Sequence, residues 1–81
     1  MTRLPRNQDG DVLVAKQARL GYAKLRQRGS HMTLRTEQLG GHTAWIPNHS
    51  PLAVGTLGNI LRGIAAHFGW TVAELMQVLE L

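Results

Sequence analysis

The chain contains no cysteine. Disulfides, thiolate metal ligands and a cysteine nucleophile are therefore excluded. A cysteine-free chain also suits a reducing compartment, so a cytoplasmic location is expected. No run approaches the roughly 18 apolar residues of a membrane span. The first residues, Met1 to Asp9, lack the apolar core of a signal peptide, so neither export nor membrane association is expected. The chain has no glycine-rich loop followed by Lys-Ser/Thr, no Ser-His-Asp arrangement with a recognisable spacing, and no internal repeat. Acidic residues are scarce too, five in all.

The charge that is present is unevenly spread. Residues 1–35 hold Arg3, Arg6, Lys16, Arg19, Lys24, Arg26, Arg28 and Arg35 against Asp9 and Asp11, a balance of +6 within a total of +4. Residues 36–81 hold Arg62 against Glu37, Glu74 and Glu80, a balance of −2. A cationic half of this kind is the electrostatic footprint of a nucleic-acid partner. A composition of 43% hydrophobic and 17% charged residues is that of a folded chain. Its 81 residues make one small domain, 1–81, which buries only about 60% of its unfolded surface.

Local patterns give the element order. Pro5 disfavours helix at Leu4. Asp9 or Asp11 can cap a helix running to about Leu20, with Gly21 as its stop. Leu13, Val14, Ala18 and Leu20 form its apolar side, and Lys16 and Arg19 lie off it. Gln17 falls in the middle of the apolar stripe, read there as a tolerated helix-edge amide rather than a functional group. Two strands follow, about Tyr22–Arg28 and Ser30–Thr36, meeting at Gly29. Alternation puts Lys24, Arg26 and Arg28 on one face of the first, and His31, Thr33 and Arg35 on one face of the second. The loop from Glu37 to Gly41 leads to a third strand, His42–Pro47. Leu57, Ile60, Leu61, Ile64, Ala65 and Phe68 form one helical stripe over Thr56–Phe68, stopped by Gly69. Thr71-Val72-Ala73-Glu74 is a capping box for a last helix, Val72 to about Leu79. The fold class is α+β: helix, three-stranded antiparallel sheet, helix and a short C-terminal helix. With so few residues, the helices cover one sheet face and leave the other open.

The densest chemistry lies in Arg26-Gln27-Arg28-Gly29-Ser30-His31, with Arg35 beyond it. Metal-free RNA cleavage needs a base for the ribose 2′-hydroxyl, cations for the charge that develops on phosphorus, and an acid for the leaving oxygen. His31 suits the base, because an imidazole titrates near neutrality. Lys24, Arg26, Arg28 and Arg35 suit the phosphate. Gly29 allows close backbone approach, and its N–H and that of Ser30 can donate to an anion. His49 is a second candidate, as proton carrier or phosphate contact. His31, His42 and His49 match no short zinc spacing, so no metal or cofactor is expected. His67 lies off the apolar stripe and is expected in solvent.

Leu4-Pro5-Arg6, Leu20-Gly21-Tyr22 and Arg26-Gln27-Arg28-Gly29-Ser30-His31 together resemble the start of HicA toxins of HicAB toxin–antitoxin systems. Ile46-Pro47-Asn48-His49, Gly55-Thr56-Leu57 and Ile60-Leu61-Arg62 extend the resemblance over about residues 4–62. It implies a double-stranded-RNA-binding-domain-like fold and an mRNA interferase, an endoribonuclease that cuts messages and slows growth. The family's catalytic histidine falls on His31. A HicB-type antitoxin would bind the toxin in a hetero-oligomer and cover that histidine. Gln17, a short segment between Pro47 and Gly55, and a longer chain past Arg62 depart from the family pattern. An alternative is a non-catalytic RNA-binding module using the same basic face. Weaker still is a helix-turn-helix over residues 64–75, whose would-be recognition helix carries no Arg or Lys.

Overall fold

The computed structural model describes residues 3–81. Helix α1 (Gly10–Gln17) tightens into a 3-10 turn, Ala18–Leu20, and leads to strands β1 (Ala23–Arg28), β2 (His31–Thr36) and β3 (His42–Pro47). Helices α2 (Val54–Phe68) and α3 (Val72–Leu79) follow. The strands form one antiparallel sheet in the order β1-β2-β3. This is the α+β order expected of a double-stranded-RNA-binding-domain-like fold, with α3 added. No helix among the described residues is long and apolar enough to cross a membrane.

Period-two alternation along β2 divides the sheet into two faces. Met32, Leu34 and Thr36 are buried, and their neighbours His31, Thr33 and Arg35 point the other way. The buried face meets the stripe of α2, where Leu57, Leu61, Ile64 and Ala65 are inaccessible to solvent or nearly so. Leu13 of α1, Ile46 of β3 and Leu75 and Leu79 of α3 complete the core. Gly69 ends α2 with φ +73°. The capping box closes on both sides: Glu74 N–H donates to Thr71 Oγ1 at 3.1 Å, and Thr71 N–H to Glu74 Oε1 at 2.9 Å.

Several boundaries differ from those read in the sequence; β1 and β2 each start one residue later, at Ala23 and His31. Helix α2 starts at Val54 rather than Thr56, with Ala53 as its extended N-cap. The first helix loses its α geometry at Ala18, and Gly21, at φ +79°, ends the 3-10 turn that replaces its last turn. At the other end it starts at Gly10, and Asp9 makes no side-chain cap. The Asp9 carboxylate instead accepts the Ser50 hydroxyl at 2.6 Å. A Cβ at position 10 would sit against the Pro47 carbonyl oxygen, so only glycine lets α1 approach the end of β3. The approach is fixed by Gly10 N–H donating to the His49 carbonyl at 2.9 Å and Leu52 N–H to the Gln8 carbonyl at 2.7 Å.

Lys16 and Arg19 leave the cationic count of the sheet. Lys16 Nζ donates to the Glu80 carbonyl at 2.9 Å and Arg19 to the Val78 carbonyl at 3.1 Å, and Arg19 also pairs with the Glu80 carboxylate. Both cations therefore sit at the C-terminus of α3, where the helix dipole favours positive charge.

Two side chains differ from expectation in burial. Gln17, in the middle of the apolar stripe of α1, is fully buried rather than tolerated at a helix edge, and neither amide atom has a hydrogen-bond partner among the described residues. Leaving such a group unpaired costs about 1–3 kcal/mol. His67 is not free in solvent. Its ring stacks on that of His42 at 5.0 Å, and Nε2 meets the Gln38 carbonyl at 2.8 Å, joining α2 to the β2–β3 loop. His42 Nδ1 lies 2.7 Å from the hydroxyl of Tyr22, which is buried and whose pKa is pushed up to about 12 by that burial.

Two predictions follow from this packing. Gln17→Leu is expected to raise the unfolding free energy by about 1–3 kcal/mol, read as a higher thermal midpoint. The second concerns pH. Burial, His67 and Arg35 hold the pKa of His42 below its ordinary 6.5. Between those two values the unfolded chain binds more protons than the folded one, so stability falls as pH drops from 6.5 through the lowered value. His42→Gln is expected to flatten the fall of the thermal midpoint between pH 7 and pH 5.

Candidate nucleic-acid interface

The hairpin joining β1 to β2 is closed by the pair Arg28 and His31, leaving Gly29 and Ser30 as a two-residue loop. Gly29 takes φ +56° at the first loop position, a conformation that favours glycine. No atom would crowd a side chain there, so the requirement is conformational alone. On the far side of β2, His31 is opposite Pro47. His31 thus stands at one end of the open face, between an arginine and a proline, and is exposed.

The next residue of β2 on this face, Thr33, is opposite Arg26 on one side and Trp45 on the other. Beyond it Arg35 is opposite Thr43. The Arg35 guanidinium is held in place: Nε donates to Glu37 Oε1 at 2.8 Å and Nη1 to Thr43 Oγ1 at 2.9 Å. Arg26 and Arg28 pair with no carboxylate among the described residues. Two unpaired guanidiniums and one anchored guanidinium therefore share the open face with His31.

Lys24 does not join them. The β1 register slips between Lys24 and Arg26, so that Lys24 is opposite Leu34 and Arg26 opposite Thr33. This is a β-bulge, and the extra residue reverses the alternation. Lys24 and Gln27 fall on the same face, where Lys24 Nζ reaches Gln27 Oε1 at 3.3 Å. Unbroken period two had placed Lys24 with Arg26 and Arg28; the bulge at Leu25 removes it.

His49 lies at the His31 end of the sheet. Asn48 N–H donates to the Ser30 carbonyl at 2.5 Å, tying the strand end to the hairpin loop, and His49 follows it, exposed. His31, His42 and His49 do not converge on one point, and no three His, Asp or Glu among the described residues form a metal-ligating group.

Two shallow hollows flank the face. The larger, about 560 Å³, lies at the far end of the sheet beside Ala23, Leu25, Arg35 and Glu37. The smaller, about 260 Å³, runs along the outer edge of β3 between Trp45 and Asn59, Ile60 and Gly63 of α2. His31 borders neither, and it stands on an open surface rather than in a cleft. Sequence patterns missed Trp45. Its β propensity marked the strand, but only the register shows an indole 65% exposed on the cationic face.

Charge removal should separate the two groups of cations. Arg26→Gln or Arg28→Gln is expected to elute earlier from an immobilised polyanion and to lower the salt slope of binding by about one. Lys16→Gln should leave both unchanged.

Comparison with known proteins gives one match. Residues 10–66, which span α1, the whole sheet and most of α2, fit the family described as HicA toxin of bacterial toxin–antitoxin. Searches of curated proteins and of solved structures return no match. The matched segment includes the Arg28–His31 hairpin, the open sheet face and the β3–α2 connection. It covers well over half of the chain, and the protein belongs to the HicA family of toxins from toxin–antitoxin systems.

Proposed function

We propose that the chain is a metal-independent endoribonuclease that cleaves mRNA on the open sheet face, with His31 as its catalytic residue. The observation that carries this reading is the pairing of an exposed His31 with Arg28 beside Arg26, on a surface where no carboxylate among the described residues neutralises those two arginines. A phosphodiester laid there meets a base and fixed positive charge together.

In the proposed step His31 takes the proton from a ribose 2′-hydroxyl. The 2′-oxygen attacks the adjacent phosphorus, and the bond from phosphorus to the 5′-oxygen breaks. The products are a 2′,3′-cyclic phosphate and a 5′-hydroxyl. Arg28 and Arg26 balance the extra charge on the phosphorane, and the Gly29 and Ser30 N–H groups can donate to its oxygens. The leaving oxygen needs a proton, and His49 is the candidate acid, two residues past the proline paired with His31.

Toxins of such systems have an antitoxin partner. In this reading it is a HicB-type protein whose binding covers His31 and forms a hetero-oligomer with the toxin. The site of action is the cytoplasm, where mRNA is translated.

A second reading, an RNA-binding module without catalysis, draws on one observation. Hydrogen bonds to histidine rings are found at His42 and His67, and no described side chain orients the ring of His31. Enzyme sites usually hold their base through a third group, although that contact often tightens only with substrate.

His31→Ala separates the two. Loss of a general base is expected to slow cleavage of a defined RNA by about 10²–10⁴-fold, with affinity within a few-fold of the parent. Cleavage and growth arrest at the parent rate would remove His31 from the mechanism. Co-expression with the antitoxin is expected to relieve the arrest.

A further inference from the structure

One feature of the open face has no part in the cleavage step. Trp45 sits on β3, opposite Thr33 and diagonal to His31 and Arg35 on the central strand. A tryptophan here is 65% exposed, although Leu34, Ala44 and Ile46 on the other face of the same strands are buried. The core does not use this indole. Trp70, the chain's other indole, is half-buried and stacks on Phe68 at 5.0 Å.

The surroundings of Trp45 are polar or cationic rather than apolar. Across the face lie Thr33, then Arg26, with His31 and Arg35 on the two diagonals. A surface that pairs one flat aromatic with several guanidiniums suits single-stranded nucleic acid. The cations hold the phosphates, and the ring accepts the π-face of a base. An apolar protein segment would gain little from the arginines, whereas a polyanion gains from both. The hollow beside the indole, about 260 Å³ and lined by Asn59 and Gly63, leaves space at the sheet edge for a planar group.

We propose that Trp45 is a stacking platform for an unpaired RNA base, positioned on β3 so that the neighbouring phosphate lies near Arg26, Arg28 and His31. The inference rests on the RNA reading above and adds a substrate class to it: single-stranded RNA in preference to duplex. In a duplex every base already stacks on its neighbours and presents no free π-face. The stack would also fix which phosphate reaches His31, making Trp45 a positioning residue.

The test uses the full chain carrying His31→Ala, to spare the RNA, and Trp70→Phe, so that Trp45 is the sole indole. Labelled single-stranded RNA and a duplex of equal length are titrated, with binding followed by anisotropy of the label and by tryptophan emission. Single strands are expected to quench Trp45 emission, and duplex to leave it unchanged. Adding Trp45→Ala is expected to weaken single-strand binding about 5- to 100-fold with little effect on duplex, while Trp45→Phe retains most of the affinity. Far-ultraviolet circular dichroism checks that each variant is folded. Binding of RNA with unchanged emission and an unchanged Trp45→Ala affinity overturns the stacking role and leaves the RNA reading standing. Equal quenching by duplex overturns the single-strand preference. No RNA binding by any variant sinks both readings. If Trp45→Ala keeps its RNA affinity and loses only the antitoxin, the indole belongs to the protein contact and the proposal fails.

Discussion

Strand β2 is paired on both sides, and its register with β1 and β3 decides what every other element does. Because side chains alternate, one set of three is committed to the core and the other to the surface. Helices α1, α2 and α3 can only pack against Met32, Leu34 and Thr36, so the face carrying His31, Thr33 and Arg35 stays uncovered. A slip of one residue would bury His31 and Arg35 and expose Leu34. The same hydrophobic demand that folds the chain therefore presents His31, Thr33 and Arg35 on the open face.

Charge is sorted with equal economy. The basic half of the sequence is not one patch. Lys16 and Arg19 serve the end of α3, Arg35 is tied to Glu37 and Thr43, and Lys24 is turned to the other side of β1. Arg26 and Arg28 remain on the open face without a carboxylate partner among the described residues, next to the hairpin that holds His31. An unoccupied guanidinium is more useful to an incoming phosphate than one that must first leave a carboxylate. The anchored Arg35 keeps a fixed direction, which suits orientation better than capture.

Sequence patterns disclosed the strong elements and failed where a pairing partner or a neighbouring helix decides. The α2 stripe, the Thr71–Glu74 capping box and the Gly29 hairpin are local, and each was readable from spacing. The bulge at Leu25 was not, because a bulge is defined by the strand opposite. Lys24 was consequently placed with Arg26 and Arg28. Spacing puts Gln17 within the apolar stripe of α1, but only packing shows its amide buried without a partner among the described residues. His67 reads as solvated until the β2–β3 loop supplies the Gln38 carbonyl and the His42 ring. Trp45 signals a strand, but its face follows from Thr33. The family match supports the element order and the toxin assignment; the proposed role of His31 rests on the resemblance, and those proposed for Arg26 and Arg28 on their charge and place on the open face.

The bulge in β1 also bears on strand pairing between copies of this chain. Strand β1 is an edge whose outer backbone groups lack a neighbouring strand, and exposed edges of that kind invite pairing between molecules. The register slip breaks its regular ladder, and Lys24, Arg26 and Arg28 load it with like charge. An approaching second edge of the same sequence meets repulsion and a mismatched set of hydrogen-bonding groups. The arginines that the proposed RNA contact would use therefore also oppose edge-to-edge pairing, which ties this edge to a cationic composition for two independent physical reasons.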